Sequence, residues 1–114
     1  MATDYASTNW PRIVEHYEAL MQIEPGVAPR LSHAIALAEA GAPQRAQTAL
    51  TDLLRVIPDA LRAHTHAALS HALLRTNDRA AARTHLLAAI GHTRNDADRR
   101  LLERRLAEQF AAQA

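Results

Sequence analysis

Residues 41–58 read GAPQRAQTALTDLLRVIP, and this stretch decides the fold. Gly41 suits the left-handed turn that closes a helix. Pro43 suits the first turn of the next one, where its missing N–H costs nothing. Beyond it Ala46, Ala49, Leu50, Leu53, Leu54 and Ile57 recur at three- and four-residue intervals, the stripe of one helix face. Pro58 ends the run. A small residue, Ala46, heads the stripe, as close approach of a second helix requires.

The same punctuation continues in both directions. Upstream, a helix opens near Pro29, carries Leu31, Ala34, Ile35, Leu37 and Ala38, and stops at Gly41. Before it, Thr8-Asn9 offers an N-cap and Pro11 a first turn. Ile13, Val14, Tyr17, Leu20 and Met21 then form one apolar face, and Glu24-Pro25-Gly26 stops the helix. Downstream, Asp59 is placed to cap a helix bearing Leu61, Ala68, Leu69, Ala72 and Leu73, and Asn77-Asp78 breaks and recaps the chain. A fifth helix carries Ala82, Leu86, Ala89 and Ile90 to Gly91. Asn95 caps the sixth, with Asp96 and Asp98 at its positive dipole end and Leu101, Leu102, Leu106 and Phe110 as its buried stripe. Short connections make consecutive helices antiparallel neighbours. The expectation is an all-α fold of about six helices in three pairs, a single domain over 8–112 behind a disordered tail of residues 1–7.

Composition agrees. The chain has 114 residues, one domain's worth, and only 4% aromatics. Ala and Leu lead, which favours helix and disfavours sheets and the nucleotide folds built on them. All 13 basic residues are Arg, as a GC-rich bacterial genome tends to produce. There is no Cys, which excludes disulfide frameworks, thiol nucleophiles and Cys-based zinc sites. The first 26 residues have no basic segment followed by an apolar one, and no apolar run is long enough to span a bilayer. A cytoplasmic protein is expected. Net charge is +1, but residues 1–60 hold 4 Arg against 7 acids and residues 61–114 hold 9 Arg against 5. Any acidic partner should therefore meet the C-terminal half.

A repeat underlies the helices. Gly41-x4-Ala46-x3-Leu50-x2-Leu53-x4-Pro58 resembles the second half of a tetratricopeptide unit. Tyr17-x2-Leu20-x4-Pro25 matches its final section 33 residues earlier, and Asn77-x4-Ala82-x3-Leu86-x2-Ala89 matches it 36 residues later. In such stacks the first helix of each pair lines a concave groove, where partners bind. That register puts Ala28, Leu31, Ile35 and Ala38 of the second helix in the groove, with His64, Ala67, His71 and Arg75 of the fourth. An apolar strip beside two His and an Arg suits an amphipathic helix or extended peptide that carries an acid. The alternative is that the strip packs on the chain's own N-terminal residues or stays bare. The basic carboxylate clamp of chaperone-binding repeats is missing, since Leu31 and Ile35 stand where Lys and Asn would be.

Other chemistry is poorly represented. His64 and His66 point to nearly opposite sides of a helix, and His64 and His71 lie two turns apart, so no metal or cofactor is expected. No glycine-rich phosphate loop, nucleophile elbow or carboxylate pair is present, so no enzyme is expected. Arg94, Arg99, Arg100, Arg104 and Arg105 form the densest basic stretch, a possible secondary face. Glu103 and Glu108 lie within helical pairing distance of them. A solvated, internally paired surface is expected there, with no direct nucleic-acid contact.

Asn9-Trp10 followed by Ile13, Tyr17 and Leu20 resembles the "D/N-W-x-x-I-x-x-x-Y-x-x-L" opening of a C-terminal helical extension. That extension, itself tetratricopeptide-like, belongs to one group of bacterial extracytoplasmic-function sigma factors. The resemblance continues through Ala34-Ile35-Ala36-Leu37-Ala38-Glu39, His66-Ala67-Ala68 and Leu73 with Arg75. It is strongest at Asn95-x2-Asp98-Arg99-x2-Leu102-x2-Arg105-Leu106, close to the group's "N-x-x-E-R-x-x-L-x-x-R-L", and it spans roughly residues 8–107. Ser32-His33 departs from the group's Asn-Arg, Ala42-Pro43 from its Gly-Pro, and Asn77 from a turn Gly. No residues match the group's promoter- and polymerase-binding domains. The resemblance implies an interaction module of transcription regulation, with sigma-factor core domains or a separate small protein as partner. A stand-alone protein that binds a small molecule in a His-lined groove is the other reading.

Overall fold

A computed structural model of the chain describes residues 8–110 as six helices: α1 (Trp10–Ile23), α2 (Val27–Glu39), α3 (Pro43–Leu53), α4 (Asp59–Leu74), α5 (Arg79–His92) and α6 (Asp96–Phe110). No strand occurs among the described residues. The expected tail, residues 1–7, and residues 111–112 of the expected domain lie outside them.

Three of the four side-chain caps that the sequence places are formed. The Asn9 side chain accepts the Arg12 N–H at 3.2 Å, Asp78 that of Ala81 at 3.2 Å, and Asn95 that of Asp98 at 3.0 Å. Each answers one of the amide groups that a helix start leaves unpaired. The two inter-helix turns that punctuate the repeat share one geometry. Gly41 has φ +95° and Asn77 φ 64°. At the first turn the Ala42 and Gly41 N–H groups return to the Leu37 and Ala38 carbonyls, and at the second those of Asp78 and Asn77 return to Leu73 and Leu74. This is the paired backbone closure of a left-handed helix end. Asn replaces Gly at the second turn because it tolerates that region better than other residues with a Cβ.

Four boundaries differ from the sequence expectation. Helix α2 begins at Val27, two residues before Pro29, which still falls in the first turn where no N–H is needed. Helix α3 ends at Leu53, because Pro58 restricts Ile57 to extended backbone and the preceding residues close in tight turns. Asp59 is the first residue of α4 and makes no capping bond; Pro58 occupies the cap position. Gly91 lies inside α5, which runs on to His92.

Helices that follow one another in sequence pack on one another, α4 and α5 most extensively, and α2 also meets α4 directly. The core is an Ala and Leu interior, with Ala46, Leu50, Leu53, Ala82, Leu86 and Ala89 almost wholly enclosed. Fully buried Ala46 and Ala82 mark the positions where methyl groups let backbones approach. At the second of these, buried Ser70 on α4 donates to the Ala82 carbonyl on α5 at 2.7 Å. Gln47 ties α3 to α4 by donating to the Ala72 carbonyl and the Thr76 hydroxyl at 3.2 and 2.9 Å. The Arg62 guanidinium holds the α3–α4 connection through the Leu54 and Ile57 carbonyls. One expected core residue is not in the core: Leu101 is 43% exposed, because α6 meets its neighbours with the rest of its stripe, Leu102, Phe110 and half-buried Leu106. The result is an elongated stack, 44 × 35 × 26 Å.

Candidate partner-binding groove

One face of α4 stays open along most of its length. A hollow of about 500 Å3 lies against Ile35 of α2, His64, Ala67, Ala68 and His71 of α4, and Arg105 and Gln109 of α6. It continues into a narrower crevice between α4 and α6, about 190 Å3, which shares His64, Ala67 and Arg105 with it. A third hollow, about 320 Å3, shares Ala63, His64, Thr93 and Asp98 with the crevice and ends at Asp59 and Asn95. His64 borders all three. Together they form one trench along α4, in which the small side chains of Ala60, Ala63, Ala67 and Ala68 leave a gap between the larger His64 and His71.

The sequence-predicted groove residues divide. Ile35 (40% exposed), His64, Ala67 and His71 come together in the trench. Leu31 and Ala38 do not: both are buried in the core, on the inner side of α2, so their placement in the groove is corrected. Helical periodicity shows that Leu31, Ile35 and Ala38 share a broad apolar face, but not which edge of it meets solvent. Ala28 is exposed near the start of α2, outside the trench. Arg75 is exposed but already engaged.

Its partner is Glu39, which the sequence reading did not single out. The Glu39 side chain is only 9% exposed and lies between α2 and α4, with His71 Nε2 at 2.8 Å from one carboxylate oxygen and Arg75 Nη1 at 3.6 Å from the other. The acid expected from a partner at this point is supplied by the chain itself. A signal was available: a carboxylate in the last turn of a helix opposes the helix dipole and wants a cation nearby. Glu18 repeats the theme one layer earlier, holding nearly buried His33 at 3.1 Å and Arg45 at 3.7 Å.

On the flank of α4 that packs on α5, three imidazoles gather. His66 Nδ1 and His85 Nδ1 are 3.0 Å apart, so one ring donates and the other accepts. The His92 ring lies parallel to His66 with centroids 5.4 Å apart. Burial, and after it the repulsion a charged His66 would meet from His85, His92 and Arg62, pulls the His66 pKa down to about 4. Burial also lowers that of His85. Both are neutral near pH 7. Comparing histidines within one helix could not find this cluster, since His66 and His85 stand 19 residues apart on different helices. Among the described residues no group of His, Asp and Glu side chains is arranged to hold a metal ion.

The basic stretch is less self-paired than expected. Arg99 reaches Asp96 at 2.8 Å and the Thr93 carbonyl at 2.7 Å, which fastens the start of α6. Arg100, Arg104 and Arg105 are exposed, and among the described residues none makes an ion pair with Glu103 or Glu108. Arg105 alone of the three turns into the trench. No helix among the described residues is long and apolar enough to cross a membrane. Comparisons with known protein families, with curated proteins and with solved structures find no match to this chain.

Proposed function

We propose that this chain is a non-catalytic protein-interaction module that docks a segment of another protein in the trench along α4. One observation carries the reading: the trench is continuous, walled by Ile35 and Leu101 and floored by alanines, and open along nearly the length of a helix. Wide, shallow, half-apolar grooves of this kind suit polypeptide segments better than compact small molecules, which favour enclosed pockets. The resemblance to the sigma-factor extension supports a role in bacterial transcription regulation, in the cytoplasm. On that reading the segment comes from the sigma factor's core domains or from a separate small protein.

The test is capture of partners from extracts of the source cell with wild type and an Ile35→Asp, Ala67→Glu double variant. The two proteins are first matched for helicity and melting temperature. A partner held by wild type and lost by the variant supports docking in the trench. A partner held equally by both places the surface elsewhere. A melting temperature raised by a metabolite and not by any protein would favour the small-molecule reading, since any native-state ligand stabilises the fold.

A further inference from the structure

On the reading of the trench as a docking groove, we infer that its occupant is an amphipathic α-helix of a partner protein that sets a carboxylate opposite Arg105. Backbone pairing favours a helix. The walls and floor are themselves helices, whose N–H and C=O groups are already paired along their length. An α-helix brings its backbone groups already paired, so it can lay an apolar face on this floor without giving up hydrogen bonds to water. Ser70 and Glu39 are committed, to the Ala82 carbonyl and to His71 and Arg75, which leaves His64, Arg105 and Gln109 to meet side chains of the occupant in the main hollow. Ala63, Ala67 and Ala68 let a partner helix come close, and Ile35 and Leu101 grip its sides.

Charge selects the acid. Glu39 presents no free negative charge, because His71 and Arg75 hold its carboxylate. Arg105 borders both the main hollow and the crevice, and among the described residues no carboxylate pairs with it. A guanidinium at a half-apolar wall is a fork for a carboxylate, and the pair strengthens as docking removes water. Asp98 borders both the crevice and the far end, where Asp59 and Arg94 also lie, so the surplus of positive charge is in the main hollow, whose Glu39 is already held. The preference for an acid is thus confined to the main hollow, at the edge that Arg105 borders.

The experiment is selection from a displayed library of randomised single helices, run in parallel on wild type and Arg105→Glu, with binders re-tested on Ile35→Asp. Arg105 is exposed, so its variant should fold, and circular dichroism checks this. The expected result is a wild-type pool with Asp or Glu at one register, bound about tenfold more weakly by Arg105→Glu, and an Arg105→Glu pool with Lys or Arg at that register. Pools that need Ile35 but show no acidic register, alike on both targets, overturn the carboxylate contact and leave the docking groove standing. If no binder is weakened by Ile35→Asp, the docking groove falls as well.

Discussion

Acidification from about pH 7.5 to about pH 4.5 charges imidazoles that the fold keeps neutral, and the cost can be worked from His66. Its folded pKa is about 4 against an ordinary 6.5, so the unfolded chain takes the proton first and stability rises with pH. The contribution is complete above about pH 6.5, falls as the pH drops toward 4, and levels off below that. A shift of this size sets a ceiling of roughly 3 kcal/mol at 1.36 kcal/mol per unit. The ring is only half-buried, so solvent screening should reduce the loss to about 1–2 kcal/mol. His85 acts in the same direction. The Nδ1–Nδ1 bond adds a geometric reason, because two doubly protonated rings have no acceptor between them. Urea melts at several pH values, with wild type beside His66→Leu, isolate this part from the other histidines. The variant should lose about 1–2 kcal/mol less than wild type across the interval. Equal losses in the two proteins, or a His66 ring proton that titrates near pH 6.5 by NMR, would refute the reasoning.

Three further outcomes follow from the packing. Ala46→Leu or Ala82→Leu should destabilise the fold by about 1–3 kcal/mol in denaturant melts, since both sites are fully enclosed. Asn95→Ala should cost about 1 kcal/mol and speed amide exchange at residues 96–99, where its side chain accepts the Asp98 N–H. Glu39→Ala leaves His71 and Arg75 without their shared carboxylate. A double-mutant cycle of Glu39→Ala with Arg75→Ala should report a coupling of about 0.5–1 kcal/mol, given the half-exposed guanidinium.

The helices were legible because their signals are local. A cap such as Asn95, a turn residue such as Gly41 or Asn77 and an apolar stripe such as Leu50–Leu53 each lie within a few residues of what they specify. Even the repeat was a matter of like turns at like spacing. The groove was half legible. Ile35, His64, Ala67 and His71 follow from the repeat register, but Leu31 and Ala38 share the face of Ile35 and only the depth of packing separates them. Contacts between distant residues were out of reach. Glu39 with Arg75 and His66 with His85 join different helices, and no periodicity within one helix encodes such a meeting. Leu101 misled for a related reason: its spacing is that of a core residue, but α6 covers too little of its neighbours to bury it.

The nearly sequential packing of the helices has a consequence for motion. Each helix leans mainly on the one before and the one after, with α2 and α4 as the exception. Contacts so local in sequence favour rapid folding, and they also let an end of the stack open while the middle holds. Helix α6 leans only lightly on α5, so it should be the first to open. An occupant of the trench would touch α2, α4 and α6 at once, linking helices that the chain itself scarcely joins. Docking would therefore act as a transverse strut, turning a stack that frays from its end into one that opens as a single unit.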